Sequence, residues 1–504
     1  MGSSAQDVKL VGGHPQQARY VALSHCWGTS PLWVTTSKNQ NLPHFSQLPG
    51  NFQDAITVTR MLGLQYLWID SLCILQDSAE DWAVECQNMA NIYQNAVVTI
   101  SVRDNPSSSP GGFLHKLTSQ SFRCCTIGDG LRISNEIHDY NVKTSPIPHG
   151  NVDKRGWILQ EKLLSKRLLH FGAGTMSFQC CADVYLDSSN HSFPPANYTN
   201  EWHAIKESLD QLEYWTPRRI SNYWFTIVQD YSMRGLTKSV DKLPALSGLA
   251  RVFGDALKND YLAGLWRGDL ARGLCWRSQW IWEDHPTLRQ MIQSTTTGDN
   301  EKGNDWIAPT WSWASCNSKV RWELTGGPDF RPRVCVQHAS VVSRGFDMYG
   351  MIESSTLIVI GRLKQVLVGT TLSFDMVTGV CIGAVCFDTR TTDVDQIESP
   401  TIVERAFSEG KETRFAKVAL LVVGTERWLS PDANTVYRDI CLVLTPALDP
   451  DVYKRIGYVS TRRYLAPEED TQIPTEGGKD WSIEGTYSIN SVFAKETEQE
   501  IRIL

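Results

Sequence analysis

Two segments of the chain place acids, thiols and aromatic rings at spacings that chemistry uses. The first is Tyr20–Gly28, YVALSHCWG, in which Ser24, His25, Cys26 and Trp27 follow an apolar run. A histidine beside a cysteine suggests a base and a nucleophile. Strand geometry speaks against that pair, because consecutive residues of an extended chain point to opposite faces. Cys26 then reads more simply as a small buried residue. The second segment is Arg155–Glu161, RGWILQE, in which Trp157 and Glu161 are four residues apart and share one face of a helix. A carboxyl beside an indole loses water, so its pKa rises, which suits acid–base work or the stabilisation of a developing cation. On residue type alone a competing reading is stronger: an exposed ion pair of Glu161 with Arg155, Lys162 or Arg167.

The elements that must position these groups follow from apolar periodicity. Residues 20–24 predict a strand. Phe52, Ala55, Ile56, Thr59 and Leu62 fall on one helical face, with Gly63 as its stop. Tyr66–Ile69 is a short, wholly apolar run that suits a strand covered on both sides. Trp82, Cys86, Met89, Tyr93 and Ala96 predict an amphipathic helix with Asp81 near its positive start. Val97–Val102 predicts a third strand, Gly156–Leu164 a helix, and Arg167–Phe171 and Met176–Cys180 further strands. Strands alternating with helices predict a parallel α/β sheet with right-handed crossovers over residues 18–185.

In such a sheet, ligands bind beyond the carboxyl ends of the strands. That rule gathers Ser24, His25, Cys26 and Trp27 after the first strand, Asp70, Cys73 and Gln76 after the second, and Arg103 after the third. Each has a plainer reading. Asp70 caps the turn that follows it. Cys73 and Gln76 pack and tie the loop. Arg103 either binds a phosphate or carboxylate or pairs with Asp70 or Asp77.

Downstream, residues 200–295 read as helical, with Leu246–Leu257 and Tyr261–Arg272 among the helical spacings. Residues 305–504 read as β-rich, with polar stretches at 288–305 and 390–413 taken as loops. A length of 504 residues suggests two or three domains. A net charge of −7 argues against a nucleic-acid surface. No apolar stretch approaches the 18 or so residues of a membrane span, and the start lacks the apolar core of a secretion signal, so the expectation is a cytoplasmic protein. Thirteen cysteines without one CxxC pair point to reduced, mostly buried thiols and to no metal site. Eighteen tryptophans read chiefly as packing residues with satisfied N–H groups. No GxGxxG occurs in the first crossover, which implies no redox dinucleotide role.

Several blocks, in order, resemble the fungal heterokaryon-incompatibility (HET) domain over roughly residues 18–325. They are Tyr20–Gly28, Leu64–Gln76 (LQYLWIDSLCILQ), the run from Glu80 through Met89, Ile92, Tyr93 and Ala96, and Arg155–Arg167. Tyr231–Ala250, Tyr261–Leu270 and Ala308–Ala314 are similar to segments that follow HET domains. The chain departs from the pattern at His25, where tyrosine is common, at Ile158 for threonine, and at Leu75 for aspartate. The resemblance implies a flavodoxin-like parallel sheet distantly similar to Toll/interleukin-receptor (TIR) domains. By analogy with catalytic TIR domains it implies that Glu161 binds ribose hydroxyls and stabilises an oxocarbenium-like state during cleavage of the nicotinamide–ribose bond of NAD. Asp70, Cys26 and His25 would complete the catalytic set. Ser24, Trp27, Cys73, Gln76, Arg103 and Trp157 would line the ligand. NAD enters this reading as a substrate, and no resident cofactor is required. The implied role is fungal non-self recognition and regulated cell death, with a small molecule or another HET-system protein as partner and homo-oligomerisation expected. A non-catalytic interaction module and an enzyme of small-molecule (secondary) metabolism on the same scaffold are the alternatives.

Overall fold

A computed structural model of the chain describes residues 8–12, 18–28, 33–103, 111–115, 125–127, 131–133, 150–172, 175–181, 184–186, 201–278, 306–322, 329–371, 385–387, 402–408, 411–429, 435–447, 449, 451–465, 493 and 496–504. The chain divides into two units. The first comprises Met1–Trp215, Arg234–Thr237 and Pro244–Ala256, and the second comprises Thr216–Met233, Lys238–Leu243 and Leu257–Leu504.

The first unit is built on one sheet. Its elements are β1 (Tyr20–Ser24), α1 (Gly50–Met61), β2 (Tyr66–Ile69), the one-turn α2 (Asp70–Cys73), α3 (Ala79–Asn95), β3 (Val98–Val102), a separate antiparallel pair β4 (Cys125–Ile127) and β5 (Leu131–Ile133), α4 (Gly156–Leu164), β6 (Arg167–Gly172), β7 (Thr175–Cys180), β8 (Val184–Leu186) and α5 (Glu201–Leu209). The strand order is β2-β1-β3-β6-β7-β8. The first four strands run parallel, and β7 and β8 return antiparallel.

Alternation along β1 decides which helix covers which face. Val21 and Leu23 pack with Phe52, Ala55 and Ile56 of α1, while Ala22 packs with Met89 and Tyr93 of α3. Both faces of β1 are therefore dry, whereas β2, the run expected to be covered on both sides, is the edge strand and only its Ile69 is fully buried. Burying a side chain such as Phe52 stabilises by roughly 2–3 kcal/mol. Two local signals set the helix ends. Gly63 adopts φ +69°, a left-handed conformation that glycine takes without steric cost, and the Leu64 amide reaches back to the Thr59 carbonyl at 3.1 Å. Ser78 caps α3 by accepting the Asp81 amide at 3.1 Å, and the Asp81 carboxylate accepts the Leu75 amide at 2.7 Å.

The second unit is mainly antiparallel β. Strand Ile352–Thr371 pairs with both Lys411–Leu429 and Glu498–Ile503. Strands Thr435–Pro446 and Val452–Leu465 complete the path between them, so the five strands close into a barrel. The polar stretch 390–413 is not wholly loop, because Ile402–Ser408 and the start of Lys411–Leu429 pair there. Residues 288–305 lie outside the described residues. The helix expected over Tyr261–Arg272 gives way to a hairpin of Tyr261–Leu262 and Leu265–Trp266, followed by short helical turns. Positive φ at Ala263 (52°) and Gly264 (94°) makes the two-residue turn and overrides the helical spacing. The Gly264 carbonyl then accepts the indole N–H groups of Trp224 and Trp313 at 2.8 and 3.0 Å. The buried indoles of Trp266 and Trp311 find no hydrogen-bond partner among the described residues and are exceptions to the expected pattern. Among the described residues no helix is long and apolar enough to cross a membrane.

Candidate active site

The strand order reverses at β1, whose neighbours β2 and β3 lead to crossovers that part beyond its carboxyl end. The segment His25–Gly28 leaves β1 there, with Gly28 at φ +82°. Asp70 opens α2 directly after β2, Arg103 follows β3, and α4 brings Glu161 alongside.

Asp70 is the first residue of α2, which no side chain caps, and its carboxylate instead ties two neighbouring groups. One carboxylate oxygen accepts the Ser71 amide at 2.7 Å and the other accepts the Trp27 indole N–H at 2.9 Å. His25 is buried, with Nδ1 3.9 Å from the Asp70 carboxylate and its ring edge-on to Phe52 at 5.3 Å. Neither ring nitrogen has a hydrogen bond among the described residues. Burial lowers the His25 pKa, against a smaller upward pull from Asp70, so the imidazole is neutral at pH 7.

Cys26 is half-buried rather than fully buried, and it faces a different set of groups. Burial raises its thiol pKa while Arg155 draws it down. Arg155 itself is anchored by donating to the His25 carbonyl at 2.7 Å. His25 therefore sits with Phe52 and Asp70, Cys26 with Arg155 and Glu161, and the chain neighbours do not form a dyad.

Glu161 is buried with 4 % of its surface exposed. Burial pushes its carboxyl up to about 7. The nearby Asp70 charge adds to the rise, and the hydroxyls of Ser24 and Tyr93 and the Arg155 guanidinium oppose it. The Ser24 hydroxyl lies beside Glu161 and makes no hydrogen bond of full geometry. Tyr93, also beside Glu161, donates to the Leu23 carbonyl at 3.2 Å.

The exposed ion pair expected of Glu161 does not form, because Glu161 is buried and two of its three expected partners are engaged elsewhere. Lys162 donates to Asp153 at 2.7 Å, and Arg167 is exposed and reaches the Val97 carbonyl. Arg103 pairs with neither Asp70 nor Asp77. It pairs with Asp153, and Asp77 binds the amide and hydroxyl of Ser37. Burial works against the Asp153 carboxylate, yet Lys162 and Arg103 hold it well below the usual carboxylate range. Cys73 accepts the Ile69 amide at Sγ, and Gln76 donates to the carbonyls of Asp70 and Ile74 at 3.1 Å each, so both tie the loop. Trp157 stands edge-on to Trp82 at 6.3 Å beside the Met89–Tyr93 cluster.

The structure thus brings Ser24, Cys26, Asp70 and Glu161 together and adds Arg155 and Tyr93. Tyr93 reads in the sequence as one apolar position of a helix. Arg155 reads as one of several ion-pair partners. Asp153 carries no sequence signal beyond its charge. Among the described residues no His, Cys, Asp and Glu cluster is arranged to hold a metal ion. The assembled groups can hold or move a proton at Glu161 and offer a cation, Arg155, within the same cluster.

Residues 20–161, which run from the first residue of β1 to Glu161, match the family described as Heterokaryon incompatibility protein (HET). No curated protein and no solved structure matches the chain.

Proposed function

We propose that this protein acts in heterokaryon incompatibility and the regulated cell death that enforces it, and that the crevice beyond β1 cleaves the nicotinamide–ribose bond of NAD. The observation that carries the reading is the buried Glu161, with a carboxyl near 7, set beside Arg155, Ser24 and Tyr93. The parallel order β2-β1-β3-β6 supports the flavodoxin- and TIR-like part of it. With its carboxyl at about 7, Glu161 has both protonation forms within reach near neutral pH. In the ionised form Glu161 stabilises positive charge on the ribose as the C–N bond breaks and its electron pair passes to the nicotinamide nitrogen. Water then adds to the sugar carbon, and its proton passes to the carboxylate. Arg155 supplies a fixed cation for a phosphate of the substrate.

Incubating concentrated protein with NAD and measuring nicotinamide tests this, with Glu161→Gln as the control. Release that Glu161→Gln abolishes is expected. Absence of release, including under crowding that drives self-association, overturns NAD cleavage. The burial of Glu161 and His25 favours a second reading, an interaction module whose buried polar groups hold its shape. Overexpression in a fungal host separates the two, because growth arrest that survives Glu161→Gln supports the module.

A further inference from the structure

A second group of nucleophiles lies where α4 hands over to β6, at the amino end of a parallel strand and so away from the crevice. A cavity of about 40 Å³ opens there. Leu163, Leu209 and Val252 supply apolar wall, and Lys206 of α5 and Cys181, just past β7, supply reactive groups. Lys206 is 3 % exposed, and its ammonium nitrogen donates to the Lys162 carbonyl at 3.0 Å. None of the carboxylates among the described residues forms an ion pair with it. The Cys181 thiol is partly exposed and lies 3.9 Å from the Lys166 carbonyl. The lysine and the thiol line the same cavity, and each is the leading charge acting on the other after burial.

A lysine in this position is costly as an ammonium ion, because a buried cation needs a counter-charge or several acceptors. Burial lowers its pKa to about 7. Much of it is then a neutral amine at neutral pH, the form that attacks carbonyl carbon. The cavity has room for only a few heavy atoms.

We propose that Lys206 and Cys181 form a two-point covalent site for a small aldehyde. The Lys206 amine adds to the carbonyl carbon, and loss of water gives an imine. The Cys181 sulfur then adds to the imine carbon, and its proton passes to the nitrogen. The sum is one aldehyde, one amine and one thiol giving one N,S-acetal bridge and one water, with no oxidation or reduction. The inference does not depend on the reading of Glu161.

Formaldehyde at low concentration is the probe, applied to the full chain and followed by time-resolved peptide mass spectrometry. The first adduct is expected as a bridge between the Lys206 and Cys181 peptides, heavier by one carbon atom. Its formation should outpace modification of the exposed Lys38 and Lys154 by on the order of tenfold or more, because only at Lys206 does a thiol in the same cavity trap the imine. Cys181→Ser should leave a Lys206 adduct that only borohydride fixes. Because the rates are compared within the unaltered chain, the result does not rest on a variant that fails to fold. Modification of Lys206 no faster than Lys38, or without a link to Cys181, overturns the proposal.

Discussion

The indole of Trp27 donates to Oδ2 of Asp70 at 2.9 Å while the Ser71 amide occupies Oδ1 at 2.7 Å, so one carboxylate joins the turns that follow β1 and β2. The same negative charge raises the pKa of Glu161 and pulls that of His25 upward. Asp70→Asn removes the charge and keeps an oxygen acceptor. The expected result is a Glu161 pKa below about 7 and a His25 pKa depressed further. A carbon-detected NMR titration of the Glu161 carboxyl reads this directly. An unmoved Glu161 would show that burial alone sets its value.

Glu161 should also shape stability against pH. Its carboxyl lies at about 7 in the folded chain, against an ordinary value of 4.5. A carboxyl raised on folding binds its proton more tightly in the native state. The stability linked to that proton is fully present below the ordinary value. It is lost as pH rises towards the folded value, and the loss levels off above it. The total is on the order of a few kcal/mol. Glu161→Gln removes the titration, so the variant should gain stability over the native chain at pH 8 and little at pH 4. Urea melts of both at the two pH values decide it. Equal differences at both would detach Glu161 from the pH dependence.

Much of this unit was legible before the structure. The apolar runs 20–24 and 66–69 and the β-branched run that becomes β3 are strands as their residue types predict, and the spacing of Trp82 to Tyr93 fixes α3. The hairpin at Tyr261–Trp266 escaped detection because two residues with positive φ decide it, and Ala263 carries no sign of that. The strand-end positions were legible from the sheet rule, whereas residue type alone favoured an exposed ion pair for Glu161 over the burial it shows. The partners within the site were not legible. The choice of Asp153 rather than Asp70 or Asp77 by Arg103, and the approach of Arg155 to Cys26, depend on where the short helical turn before α4 places residues about 50 positions or more from those they meet.

Asp153 should be among the least replaceable residues of the first unit. It accepts from Arg103, from Lys162 at 2.7 Å and from the Gly150 amide at 2.8 Å. Asp153→Asn would leave two cations with no compensating charge, Arg103 deeply buried and Lys162 partly so. Removing one partner from such a group costs about 3–5 kcal/mol. The loss should appear in urea unfolding followed by the first unit's tryptophans. A change under about 1 kcal/mol, the scale of an exposed pair, would mean that the charges are solvated.

Gly248 gives the sharpest packing test. It lies in the helix Ser247–Leu257, and its amide donates to Oε1 of the fully buried Gln160 at 2.8 Å. A Cβ at this position would come within 2.3 Å of the Ala90 Cβ and 2.8 Å of Gln160 Oε1. Alanine is favoured over glycine inside a helix by up to about 1 kcal/mol, so propensity alone predicts that Gly248→Ala stabilises. Overpacking costs roughly 1–3 kcal/mol, and weakening the buried amide bond adds a cost of similar size, so the substitution should destabilise overall. Thermal melts of Gly248→Ala and of the double variant with Ala90→Gly separate the contributions. The double variant removes the contact with α3 and leaves the one with Gln160, so it should recover part of the loss. Full recovery would place the whole cost on Ala90, and a stabilised single variant would show that the helix is free to shift.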